Sequence, residues 1–507
     1  MEAGVREPDT TTTSQPAGGQ PSWLTWLAPL VAAIWHLSLP LGSQRLHLDD
    51  AFYHLAEIRS WATEGLLGGV TTLPRTVLGA SGPDHHFLFH VLLSPLLLLD
   101  VETALRLGSG LLGAGGSLAV WIWLRRSAVP YPGLWLLLLV GASEVYGFRL
   151  GLLRAQSLDI PLVLAGLWQV VHGRHKSALL LGFVFAWSHH GATLYGPVAL
   201  LALLGQRLAG QPLQWRAALY LMGGVGLGFV VSPWFPQTLE YLFFHTFWKT
   251  RNPLGLDVGA EWLPATLGWM AYEAWPLHLV LVAAAARWAS LTPRPKLQAD
   301  TWALAGLTVL LGLLTLKHGR FADHWVALEL ACTALLVRDV WAGNPVSAPD
   351  RAPVPAPAPV RAPVLAAAAA LLLLAGLRWQ AVRGYMDDGW RPGQYASAGQ
   401  WLTQHAKPGE LVVNLRWEDY AFLTWFAPHQ QFLIGLDPNY LAYADPKSYL
   451  LWDKLATPAM PADLQTPLTQ NLHATLFVGP ANTAMDQHPQ LERVFAAPEA
   501  TIWRLRP

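Results

Sequence analysis

A single cysteine, Cys332, in 507 residues excludes a disulfide within the chain and a cysteine-based metal site. It lies inside an apolar run and reads as a small core residue. Charge is scarce too. Asp, Glu, Lys and Arg make up 13% of the chain, against about 25% in a soluble domain. Neither sign is in excess, with 33 basic and 33 acidic residues, so no nucleic-acid partner is expected. No cleavable signal peptide is predicted, because residues 1–20 are polar and rich in Thr, Gly, Gln and Pro. Residues 1–22 read as a disordered tail.

What fills the chain instead is apolar. Hydrophobic residues make up 53%, mean hydropathy is +0.30, and long runs such as 131–142 and 301–316 recur. Repeated runs of this kind mean transmembrane helices and a membrane-lipid environment. The 26 Trp residues suit the headgroup layer. Eleven spans are predicted, at about 23–42, 103–124, 133–147, 160–172, 177–189, 192–205, 216–232, 265–286, 300–316, 321–338 and 363–377. Several are shorter than the ~20 residues that cross a bilayer unaided. The apolar segment 86–99 has polar residues at both ends and is read as lying along the interface. The run 177–205 is read as two short spans broken at His189-His190-Gly191.

Positive-inside bias supports that parity. With the N-terminus inside, every cytoplasmic loop is basic: Arg125-Arg126, Arg174 with Lys176, Arg207 with Arg216, Arg287 with Arg294 and Lys296, and Arg338 with Arg351 and Arg361. The outer face then receives 43–102, 148–159, the His189-His190 turn, 233–264, 317–320 and everything after 378. The expected architecture is an α-helical multi-pass cell-membrane protein with a small C-terminal soluble α/β domain. Its parts are a transmembrane domain at 23–344, a Pro/Ala-rich linker at 345–362, a last span with connector at 363–390, and an exoplasmic domain at 391–507.

The polar residues of the outer loops carry the chemistry. Asp49-Asp50-Ala51-Phe52-Tyr53-His54 follows span one. Carboxylates there can hold Mg²⁺ or Mn²⁺, or one can act as a general base. Asp50 can equally cap a helix over Ala51–Trp61. Asp84-His85-His86 has metal-ligating side chains, or caps the interfacial segment. Arg149 and Arg154 stand near Asp159, and Arg suits bidentate phosphate binding, though headgroup contact is the plainer reading. Asp257 and Glu261-Trp262 share a long outer loop. Lys317 and Arg320 are cations on the outer face, against the usual bias, which points to an anionic partner such as a lipid phosphate. In the soluble domain, Arg416-Trp417-Glu418-Asp419-Tyr420 and Gly435–Tyr440 look like binding loops or helix starts.

Taken together these residues resemble the GT-C superfamily of membrane glycosyltransferases, in particular oligosaccharyltransferase catalytic subunits. That family carries a first-loop motif like Asp-Asp-x-Tyr-Tyr-His, matched here by Asp49–His54. Arg154–Asp159 is similar to its Arg-Ser…Asp loop, without a second acid near Asp159. Glu261 stands where a later outer loop supplies a Glu, and Arg320 where an Arg meets the donor phosphate. Arg416–Ala421 is similar to the Trp-Trp-Asp-Tyr-Gly motif but lacks the second Trp and the Gly.

The resemblance implies a GT-C-like fold and transfer of a sugar or oligosaccharide from a polyprenyl-phosphate-linked donor on the outer face. Asp50, with Asp49, would serve catalysis. Asp50, Asp159 and Glu261, with His85 and His86 as further candidates, would hold a divalent metal. Arg320, Lys317 and Arg154 would bind the donor phosphate, and Trp417, Glu418, Asp419 and Tyr420 the acceptor. Two other classes remain open on the sequence. A transporter would use Asp159 and the His189-His190 break as an ion path. A non-catalytic assembly subunit would keep only the fold.

Overall fold

The structure is a computed structural model that describes residues 22–47, 49–79, 82–341, 361–457 and 460–507. Nearly all of the predicted 1–22 tail and the 345–362 linker lie outside the described residues. Helices α1 (Ser22–Gly42), α2 (Asp49–Glu64) and α3 (Phe87–Leu93) open the chain. Then come α4 (Val101–Arg126), α5 (Pro132–Ala142), α6 (Glu144–Leu150), α7 (Asp159–Val171), α8 (His175–Ser188), α9 (Tyr195–Leu208) and α10 (Trp215–Val230). A short α11 (Gln237–Phe243) precedes α12 (Leu267–Glu273), α13 (Trp275–Ser290), α14 (Ala299–Lys317), α15 (Ala322–Trp341) and α16 (Arg361–Asp387).

The helices fall on the predicted apolar runs. Among the described residues, three of them (α4, α14 and α16) are long and apolar enough to cross a membrane, or four spans if the bent pair α5–α6 counts as one. The other helices on predicted spans are shorter, in α1 over the stretch Trp26–Gly42 whose side chains are described, or, in α15, more charged. The 86–99 segment is the seven-residue α3 plus a 3-10 turn at Ser94–Leu98, well short of a membrane thickness. Helix α2 begins at Asp49, so Asp50 sits inside its first turn rather than capping it.

Two breaks matter for the site, one at Ser143 and one at His189. The run 133–147, expected to be one span, bends by 91° between α5 and α6. Ser143 is extended there, and its hydroxyl caps the Tyr146 N–H of α6. Glu273 Oε1 accepts from Ser143 Oγ at 2.8 Å and from Val145 N at 2.7 Å. Freed backbone groups in an apolar setting need such partners. The predicted span at 265–286 is likewise interrupted at Ala274, between α12 and α13. The second break, at the extended His189, separates α8 from a 3-10 turn at His190–Leu194 and α9.

Helix α15 is buried along nearly its whole length and still carries charge. Its charged groups are partnered: Arg338 Nη1 lies 2.8 Å from Asp300 Oδ2, and Glu329 Oε1 lies 2.6 Å from His278 Nδ1.

After Trp390 the chain forms α17 (Ala396–His405), β1 (Leu411–Asn414), α18 (Tyr420–Phe426), β2 (Gln431–Phe432), α19 (Pro438–Ala444), α20 (Pro446–Ala456), β3 (Ala474–Gly479), α21 (Thr483–Gln487), β4 (Leu491–Ala496) and β5 (Thr501–Leu505). The sheet order is β2-β1-β3-β5-β4. β1 pairs in parallel with β2 and β3, with Val412 opposite Phe432 and Leu476. β5 is antiparallel to both β3 and β4. Strand β2 pairs with β1 over only two residues.

This C-terminal part shares a core with α2. Phe52 of α2 packs against Phe422 of α18 with ring centroids 4.9 Å apart. Leu46 and Trp390 exchange two backbone hydrogen bonds, each 2.9 Å. Gly389 permits that approach, since a Cβ there would sit 2.4 Å from the Leu46 carbonyl carbon.

Candidate active site

The first turn of α2, the end of α6 with the loop after it, the turns at Glu261 and Arg320 and the C-terminal domain converge on one cavity of about 400 Å³. Its lining includes Asp50, Arg149, Arg154, Lys249, Glu261, Trp262, Arg320, Trp417 and Glu418. The bend at Ser143 is what brings Arg149, near the end of α6, to this cavity.

Glu261 is the hub. Its Oε2 accepts from Arg154 Nη1 at 2.9 Å and from Arg149 Nη1 at 3.1 Å. Arg320 Nη1 stands farther off, 3.8 Å from Glu261 Oε1. Burial pushes the Glu261 carboxyl up, but Arg154, Arg320 and Arg149 together pull it well below the usual carboxylate range. Arg154 also reaches Asp50, Nε to Oδ2, at 2.8 Å. Arg149 Nε lies 3.3 Å from Asp323 Oδ1.

Trp262 is a platform for two cations. The Arg320 guanidinium carbon lies 4.2 Å from its ring centroid and Lys249 Nζ 5.4 Å. Gly319 N donates to Leu263 O at 2.8 Å, which pins the Arg320 turn to the Glu261 loop. Arg320 Nη1 is buried and has no hydrogen-bond partner. Lys249 Nζ is 3.0 Å from Asp437 Oδ2, so an element of the C-terminal domain closes one wall.

Several expected site residues stand elsewhere. The side chain of Asp49 lies outside the described residues. Asp159 does not line the cavity: it is buried 2.8 Å from His189 Nδ1 and 3.3 Å from His324 Nε2. Lys317 ends α14 with its side chain exposed and does not line the cavity. Asp419 and Tyr420 are buried at the start of α18, where Tyr420 Oη meets Thr72 Oγ1 at 2.7 Å, so neither reaches an acceptor. Asp257 faces a different surface depression.

Among the described residues, the candidate carboxylate ligands for Mg²⁺ or Mn²⁺ are each engaged by other side chains. Asp50 and Glu261 are both bound to Arg154, and Asp159 pairs with histidines. Among the described residues, two groups of three side chains bring possible metal-ligating atoms within 4.8 Å of one another: His54, His86 and His90, and His85, His86 and His190. Neither contains a carboxylate. Burial pulls the His85 imidazole down to about 3. Burial and neighbouring histidines hold His86 and His190 well below the ordinary imidazole range.

Sequence reasoning missed Lys249, His190 and His245 as cavity residues. Lys249 carried a signal in retrospect, as an outer-loop cation next to Trp248.

Neither the protein-family models nor the curated proteins contain a match to this chain. Solved structures do match. ArnT from Cupriavidus metallidurans bound to undecaprenyl phosphate is 17% identical, with a TM-score of 0.59 over 96% of this chain and 98% of that one. The oligosaccharyltransferase of Archaeoglobus fulgidus, tethered to an acceptor peptide, is 13% identical, with a TM-score of 0.55 over 91% of this chain and 69% of that one. The mycobacterial arabinofuranosyltransferase AftD is 15% identical with a TM-score of 0.53; 97% of this chain matches 40% of that longer one. The fold is GT-C-like. At these identities the likeness bears on architecture alone.

Proposed function

We propose that this protein is a membrane glycosyltransferase. It transfers a sugar or oligosaccharide from a polyprenyl-phosphate-linked donor to an acceptor at the outer membrane face. The observation that carries the reading is Arg320: its side chain is 11% exposed, its buried Nη1 makes no hydrogen bond and stands 3.8 Å from Glu261 Oε1, and it faces the same cavity as Asp50. A planar cation left incompletely paired in a protein interior invites an anion of phosphate shape. Arg149, Arg154 and Lys249 line the cavity beside it. The bound undecaprenyl phosphate of the ArnT structure supports the donor class.

In this reading an acceptor O–H or N–H attacks the anomeric carbon of the donor. The bond from that carbon to the phosphate oxygen breaks, and its electron pair leaves with the phosphate. Asp50 takes the acceptor's proton, its carboxylate oriented by Arg154. Arg320 stabilises the charge growing on the leaving phosphate. The reading includes the eleven-span topology, with a cytoplasmic N-terminus, a transmembrane domain at 23–344 and an exoplasmic domain at 391–507.

The test is mass spectrometry of lipid co-purified with the full chain, followed by consumption of a lipid-linked sugar in vesicles. A polyprenyl phosphate retained by the wild type and lost from Arg320→Ala supports the reading. Solute transport without sugar consumption would replace it with a transporter, and neither activity with an assembly subunit.

A further inference from the structure

A second cluster in the cavity lining consists of histidines. His54, His85, His86, His190 and His245 all face it. They divide into two sets by what their ring nitrogens already do. His54 Nδ1 lies 2.8 Å from His90 Nε2, and His90 Nδ1 lies 2.7 Å from Asp84 Oδ2. The facing nitrogens of that pair are satisfied by each other and by a carboxylate.

The other set is unsatisfied. His86 is 7% exposed, and both its ring nitrogens are buried without a partner. His85 uses Nε2 on Tyr241 Oη at 3.0 Å, which leaves Nδ1 buried and unpartnered. Nδ1 of His190 and Nδ1 of His245 are in the same state, and those two rings stand 3.6 Å apart between centroids. One ring nitrogen from each of His85, His86 and His190 lies within 4.8 Å of the other two. Buried polar atoms are ordinarily paired, and one group of orphaned acceptors facing each other calls for a shared Lewis acid.

We propose that His85, His86 and His190 bind one divalent transition metal, with zinc as its ordinary occupant and His245 beside the open coordination position. Neutral imidazoles select zinc, copper, nickel or cobalt over magnesium or manganese, which require oxygen ligands. The site is distinct from the carboxylate set around Glu261. It joins the loop before α3 to the turn after α8, with the segment after α11 alongside. Asp84 Oδ1 accepts the His86 N–H at 2.9 Å and fixes the backbone that presents both ligands. The ion therefore fastens one wall of the cavity, and its binding does not depend on what the cavity transfers.

The experiment uses the full chain in detergent, purified without chelator and without a polyhistidine tag. Elemental analysis should find about one zinc per chain in the wild type. After chelation, Co²⁺ alone should restore one equivalent and give visible d–d absorption bands. His86→Ala and His190→Ala should lower Zn²⁺ affinity by about 100-fold or more, while His278→Ala and Arg320→Ala keep the ion. The inference is overturned if the wild type binds neither Zn²⁺ nor Co²⁺, or if His86→Ala and His190→Ala both hold metal as the wild type does. The wild-type Co²⁺ spectrum decides the matter even if a variant does not fold. Arg320→Ala separates this site from the phosphate site: loss of transfer with metal retained leaves the inference standing.

Discussion

Arg154 Nε lies 2.8 Å from Asp50 Oδ2, and the same guanidinium reaches Glu261 through Nη1. One side chain thus ties the start of α2 to the loop between α11 and α12. The only acid of the first-loop motif that lines the cavity, among the described residues, is held by a cation rather than left to drift.

Asp50→Asn tests the base. Asparagine keeps an oxygen for Arg154 and the size of the side chain, and it loses the capacity to take a proton. Turnover should fall by roughly 10²- to 10⁴-fold with thermal stability nearly unchanged. Near-normal turnover in a folded variant would remove Asp50 from catalysis.

Arg320 should respond to geometry as well as charge. Loss of its contact with the leaving phosphate should cost ~2–4 kcal/mol of transition-state stabilisation, or roughly 30- to 1000-fold in rate. Arg320→Ala should approach the limit of detection. Arg320→Lys should remain clearly impaired, because an ammonium cannot reproduce the stacked, forked guanidinium over Trp262. Steady-state transfer assays on both variants check this, and full activity in Arg320→Lys would argue for a nonspecific charge.

Lys249 and Asp437 form a pair with side chains 9% and 3% exposed. Asp437→Ala leaves a buried ammonium without its counterion and should destabilise the protein by ~3–5 kcal/mol. The double variant Lys249→Met with Asp437→Leu should recover most of that loss. Thermal unfolding of the three proteins measures it, and equal melting points throughout would show the pair to be inert.

Glu261 gives a pH signature. Its carboxyl is depressed in the folded state, so the stability it contributes is complete above the ordinary glutamate value of 4.5 and is lost as pH falls through the lower folded value. Wild type and Glu261→Gln should therefore differ by a constant margin between pH 5 and 7, then converge in stronger acid. Melting curves across that range supply the check, and a margin that grows on acidification contradicts the assignment.

Much of the helical frame was legible because apolar runs set it directly. Even the break at His189 showed, since two adjacent histidines interrupt the run. The bend at Ser143 did not show, because its cause is Glu273, brought over from α12 by the tertiary fold. Strands β4 and β5 escaped notice because LERVFA and TIWRL are short and carry charge. In the site, Asp50, Arg154, Glu261 and Arg320 stood out as charges in a chain poor in them. Lys317 and Asp159 stood out for the same reason and face elsewhere, since sequence reports that a charge is present and not which way its helix turns it. Lys249 went unread because its partner, Asp437, belongs to the C-terminal domain.

The contact between Phe52 and Phe422 also sets an order of assembly. During synthesis the apolar face of α2 leaves the ribosome long before α18 exists to cover it. At ~5–20 residues per second the wait is roughly 20 to 70 s. Through that interval the residues of α2 that pack on α18 are without that partner. The wall of the cavity that α2 and the C-terminal part build together is therefore completed only once α18 has been made.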